Sequence, residues 1–150
     1  MEMDRSVEKV LADELTKIRL EIPFIHRGGC GIFAVLLWDM LSFTGYITEP
    51  VELYDGYPIW TRNHIILKYN GKFIDSLGIH HSTDWMGLSV EKPISMKDLN
   101  KRAWSDDHWL KGKGAFDRKD IIKLKSSIHK LGYRIGEEKK RMEIKNLALV

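Results

Sequence analysis

At 150 residues, with 43% hydrophobic and 30% charged side chains, the chain has the length and composition of one soluble globular domain (1–150) able to bury a core. Its single cysteine excludes an internal disulfide, so the fold does not depend on oxidation and a reducing, cytoplasmic setting is expected. The net charge of +3 is mild but uneven: Arg118 to Lys145 carries ten Lys/Arg against four Asp/Glu, and the remainder fourteen against seventeen. The plain reading of that basic stretch is a solvated helix face, and nucleic acid is not expected as a partner. The longest apolar run, Ile32 to Trp38, is far too short to span a membrane. The opening Met1-Glu2-Met3-Asp4 lacks the basic and apolar regions of a signal peptide. No membrane association is expected.

In chain order, Val7, Val10, Leu11, Leu15 and Ile18 recur at helical spacing and predict an amphipathic helix over Ser6–Leu20. Asp4 or Ser6 is its candidate N-cap. Pro23 closes it, because the residue before a proline is pushed away from helical geometry. A short extended piece, Phe24 to Arg27, leads to a Gly28-Gly29 break. Cys30 to Phe43 then reads as a helix apolar nearly all round, which has to be buried, with Gly45 as its stop. Thr48 to Trp60 is punctuated by Pro50, Gly56 and Pro58, with short strands at Val51–Tyr54 and Ile59–Trp60.

Asn63–Tyr69 and Lys72–Leu77 flank Asn70-Gly71, the strongest hairpin pattern in the chain, since Asn-Gly suits a two-residue type I′ turn. Gly78 to Pro93 reads as loop. Ser95-Met96-Lys97-Asp98 predicts a capped helix through Ala103 or Trp104. Trp104 to Gly114 reads as irregular. Asp117 caps a last helix carrying Ile121, Leu124, Ile128 and Leu131, broken at Gly132, and the tail beyond Gly136 is left open between strand, helix and frayed end.

The chemistry converges on Cys30. With Asn70-Gly71 as the loop, Tyr69 pairs with Lys72, Lys68 with Phe73, Leu67 with Ile74, Ile66 with Asp75 and His64 with Leu77. Paired and alternate residues share a face, so His64 and Asp75 become diagonal neighbours within hydrogen-bonding reach. A one-residue slip would send Asp75 to the other face. A carboxylate holds one imidazole tautomer and favours the protonated ring. An imidazolium beside a thiol lowers the thiol pKa, and so does a helix N-terminus. Gly28, Gly29 and Gly31 are expected to clear space for a substrate carbonyl and leave backbone N–H groups for an oxyanion, the Cys30 N–H being one donor. His26, Arg27 and Trp60 are open choices for the second.

Taken singly, Cys30 reads as a small buried hydrophobe, His64 as a strand histidine and Asp75 as a strand-end acid bonded to backbone. Together they predict a catalytic Cys30, His64 and Asp75. His80, His81 and Asp84 form a weaker cluster with no ligand pair at metal spacing, and no metal is expected.

Cysteine at the start of a buried helix, then histidine on one strand and aspartate on the next, resembles the papain-like and transglutaminase-like superfamily of cysteine hydrolases and acyltransferases. Gly29-Cys30-Gly31-Ile32-Phe33-Ala34 and His64 to Asp75 look similar to the motifs of its small, phage-type members, and the resemblance covers Gly28 to Gly78. It implies an α+β fold, with the cysteine helix packed on a small antiparallel sheet and flanked by further helices. It also implies Cys30 as nucleophile, His64 as general base and acid, Asp75 as the orienting group, and no cofactor. The partner would be a protein or peptide substrate, or a host protein if a phage-type chain of this kind only binds, and the setting would then be the host cytoplasm. The pattern departs at two points: the chain contains no glutamine to act as the papain-like oxyanion donor, and Gly31 stands where transglutaminase-like chains carry an aromatic residue.

Overall fold

The computed structural model describes residues 2–23, 25, 29–54, 63–88, 90–105 and 116–148. Helix α1 (Arg5–Glu21) is followed by α2 (Cys30–Phe43), strands β1 (Glu49–Tyr54), β2 (Asn63–Tyr69), β3 (Lys72–Asp75), β4 (Gly78–His80) and β5 (Val90–Pro93), and helices α3 (Met96–Trp104) and α4 (Arg118–Ala148). The five strands form one antiparallel sheet in the order β4-β3-β2-β1-β5. The fold is α+β, with the cysteine-bearing helix on the sheet and helices flanking it.

Helix α2 organises the core. Its composition leaves no polar face to turn to water, and Ile32, Phe33, Ala34, Val35, Leu37, Met40 and Leu41 are all buried. One side of it lies on Ile65, Leu67, Tyr69 and Ile74 of the sheet, and the buried stripes of α1 (Val7, Leu11, Leu15, Ile18) and α4 (Ile121, Leu124, Ile128, Leu131, Ile135) complete the same cluster. The basic stretch predicted as a solvated face is α4, whose apolar stripe is buried while most of its lysines are exposed. A second, smaller cluster of Val51, Leu53, Ile66, Phe73 and Leu88 covers the other face of the sheet. No described helix is long and apolar enough to cross a membrane.

Several expectations shift. Asp4 holds the N-cap position of α1 without a side-chain cap bond. The predicted single helix break at Gly132 does not occur: α4 runs through Gly132 and Gly136 to Ala148. A Cβ at Gly132 would lie 2.9 Å from Met40 Cγ, so this glycine serves the close approach of α4 to α2. Asp117 does start that helix, accepting from the Asp120 N–H at 3.1 Å while Asp120 Oδ2 accepts from the Asp117 N–H. The stretch Gly78–Pro93, expected as loop, contains β4, a 3₁₀ turn over Asp84–Met86, and β5 pairing with β1. The predicted pieces at 24, 26–27 and 59–60 lie outside the described residues.

The start of α2 depends on Gly29. Its backbone is in the ordinary helical region, so conformation is not the reason for a glycine there. Space is the reason: a Cβ would sit 2.4 Å from the Ile25 carbonyl oxygen and 2.9 Å from the Phe116 ring. Gly29→Ala is therefore expected to destabilise the fold by about 1–3 kcal/mol through overpacking against backbone, read as a lower urea midpoint; a variant as stable as the parent would contradict this close approach.

Candidate functional site: a cysteine, two histidines and a shared aspartate

The hairpin register predicted from Asn70-Gly71 is the one observed: Tyr69↔Lys72, Lys68↔Phe73 and Leu67↔Ile74. Asn70 and Gly71 both have positive φ (48° and 75°), as a type I′ turn requires. His64 and Asp75 accordingly share a face, and His64 Nε2 meets Asp75 Oδ2 at 2.8 Å. The predicted pairs beyond Leu67↔Ile74 are not formed. The chain turns at Ser76-Leu77, where Asp75 Oδ1 accepts from the Leu77 N–H at 2.9 Å, and Leu77 lies in a turn instead of opposite His64.

That early end of pairing opens the site. Helix α2 packs on the opposite face of the sheet from His64 and Asp75, so a continuous sheet would separate thiol and imidazole. Past Leu67↔Ile74 the Ile65 amide is no longer used by β3, and it bonds the Cys30 sulfur, as the Gly31 amide does. The sulfur also hydrogen-bonds the His64 ring. Since His64 Nε2 is engaged with Asp75, the nitrogen facing the thiol is Nδ1. Cys30 itself is partly exposed.

The electrostatics follow. Burial pushes the Cys30 thiol up, but the hydrogen bond and charge of His64 and the two backbone amides outweigh it and hold the thiol below its ordinary value. Burial pulls His64 down, yet hydrogen bonds and charge from Asp75 and Cys30 carry it up to about 9. Burial raises Asp75, and the two histidines it bonds bring it below the usual carboxylate range. These shifts move the pair in the direction of thiolate and imidazolium, backed by a carboxylate.

The second histidine on Asp75 is His80, whose Nε2 lies 2.7 Å from Oδ1. It is absent from the predicted triad. The register that places it was readable: Gly78, at φ 126°, follows a two-residue turn, so Asp75↔Gly78 and Phe73↔His80 make His80 a diagonal neighbour of Asp75, just as His64 is. In the weaker His80–His81–Asp84 grouping, His80 is turned to Asp75, while His81 and Asp84 are exposed.

Of the glycines expected to frame the cysteine, Gly28 lies outside the described residues, as do His26, Arg27 and Trp60. Gly29 faces Ile25 and Phe116, and Gly31 faces Ala103 of α3, where a Cβ would stand 3.5 Å from the Ala103 Cβ. Both glycines thus seat α2 against its neighbours.

An ordinary thiol loses about tenfold in thiolate for each pH unit below its pKa, whereas Cys30 keeps its thiolate down to a lower pH while His64, protonated up to about pH 9, supports it. The rate of alkylation by iodoacetamide is expected to reach half its maximum at a lower pH than that of a free thiol such as glutathione. In His64→Ala, where only burial and amides remain, that midpoint is expected to rise. A midpoint indifferent to His64 would refute the pairing.

Comparison of the chain with known protein-family models, with curated proteins and with solved structures finds no match.

Proposed function

We propose that the protein is a cysteine hydrolase of peptidase or amidase type, a small member of the papain-like and transglutaminase-like group, working through an acyl-enzyme on Cys30. The observation that carries this reading is the Cys30–His64–Asp75 chain of hydrogen bonds, with the thiol pKa lowered and the imidazole pKa raised. A structural cysteine in a core needs no such partner.

The steps use these residues in turn. The Cys30 thiolate attacks the scissile carbonyl carbon, and the carbonyl π electrons move to oxygen. The Cys30 N–H at the start of α2, one of the N-terminal amides a helix leaves unpaired, is a donor for that oxyanion. His64 Nδ1–H then protonates the leaving amine as the C–N bond breaks, leaving a thioester. Water, deprotonated by the now neutral His64, attacks the thioester, and Cys30 leaves as thiolate beside the restored imidazolium. Asp75 keeps the His64 ring oriented throughout and stabilises its charge. Transfer of the acyl group to an amine uses the same three residues, the acceptor being set by access to the thioester. A reducing compartment suits a lone nucleophilic thiol.

An activated ester such as 4-nitrophenyl acetate tests the acyl-enzyme directly. The expected outcome is a burst of nitrophenol of up to one equivalent, with one acetyl group found by mass spectrometry on the peptide containing Cys30. His64→Ala is expected to slow the burst by roughly 100-fold or more, and Cys30→Ala to abolish it. Acetylation spread over lysines, with no burst, would sink the proposal.

A further inference from the structure

One cation stands beside this site that the steps above do not use. Arg102, on the last turn of α3, donates from Nη2 to Glu52 Oε2 at 2.6 Å. Glu52 is buried on β1, its other carboxylate oxygen accepts from the Tyr54 hydroxyl, and its register partner on β2 is Ile65, the residue whose amide bonds the Cys30 sulfur. On the α2 side, Ala103 packs on Gly31, the residue following the nucleophile. Arg102 is thereby tied to the cysteine twice, through its neighbour Ala103 against Gly31 and through its partner Glu52 paired with Ile65.

The guanidinium is held by its anchor without being used up by it. Glu52 is 6% exposed and Arg102 49% exposed. A guanidinium has five N–H donors in a planar fork, and a bond to one buried carboxylate oxygen orients that fork while leaving donors facing solvent. The Glu52 hydrogen bond first of all, against partial burial, raises Arg102 further above its usual range, and the charge of Cys30 adds to this from across the site.

We propose that Arg102 is a binding residue for a negative charge on the acyl half of the substrate, so that the preferred substrate is an acyl compound, such as a peptide cleaved after an acidic residue, with a carboxylate close to the scissile carbonyl. This deepens the hydrolase reading and rests on it. A carboxylate there takes paired N–H donors from the fork at the same time as the carbonyl carbon meets the Cys30 sulfur. Glu52 is the positioning residue: it sets the direction of the fork and balances its charge when no substrate is bound.

Two alkylating reagents of nearly equal size read this directly. Iodoacetate and iodoacetamide each form an S–C bond at Cys30 and expel iodide, and they differ in whether a carboxylate or an amide sits beside the reacting carbon. Both rates scale with the thiolate fraction, so their ratio cancels any change in the Cys30 pKa. Relative to the same ratio for glutathione, the wild-type protein is expected to favour iodoacetate by about tenfold or more. His64 also attracts the anion, so the decisive comparison is with Arg102→Gln, in which the ratio is expected to fall by about tenfold. Because that variant removes the guanidinium from beside the buried Glu52 carboxylate, the double variant Glu52→Gln/Arg102→Gln, which keeps an amide pair and the net charge, is measured alongside and is expected to show the same fall. An undiminished ratio in the double variant overturns the anion site. The hydrolase reading fails by a different result, an alkylation midpoint that His64→Ala does not move.

Discussion

A single buried carboxylate holds the site together. Asp75 is 2% exposed and accepts three hydrogen bonds, from His64, His80 and the Leu77 amide. A carboxylate removed from water is costly unless its lone pairs are met by donors, and here two imidazoles and an amide meet them. The Leu77 bond turns the chain after β3, and the turn ends the β2–β3 pairing. The end of pairing lets the α2 terminus reach His64. One side chain therefore shapes the backbone around the site and supplies the charge that the imidazole leans on.

Helix α2 makes the complementary contribution. Its near-uniform apolarity places it between sheet and flanking helices, with no freedom to rotate a polar face outward. The position of its first residue is set by contacts that exclude side chains: Gly29 against Ile25 and Phe116, Gly31 against Ala103. A thiol on a helix start fixed in this way needs little reordering to meet His64, which is the structural basis of preorganisation.

Around this pair the charges are arranged in two layers, one on each face of the sheet. On one side, His64 and Asp75 govern the protonation of Cys30. On the other, the buried Glu52 holds Arg102 near the same helix start. The sheet separates them, since His64 and Asp75 project from one face and Glu52, like α2, lies on the other, and the gap at the end of the β2–β3 ladder is what lets His64 reach the cysteine.

The sequence by itself determined the helix at Cys30–Phe43, the Asn70-Gly71 register and hence the His64–Asp75 contact, because a nearly all-apolar run bounded by glycines and the chemistry of a turn are local and each admits one solution there. Even His80 was implied by Gly78 and a count of two, although a short strand after an acid reads first as loop. Gly132 misled for a physical reason: the residue that weakens a helix by propensity is also the one that admits a neighbouring helix, and only the neighbour, Met40, distinguishes the two. The meeting of Cys30 with His64, and of Arg102 with Glu52, belongs to the tertiary structure. The partners lie 34 and 50 residues apart, on elements whose packing no local pattern specifies, and their approach depends on where a strand pair ends and how closely two helices can touch.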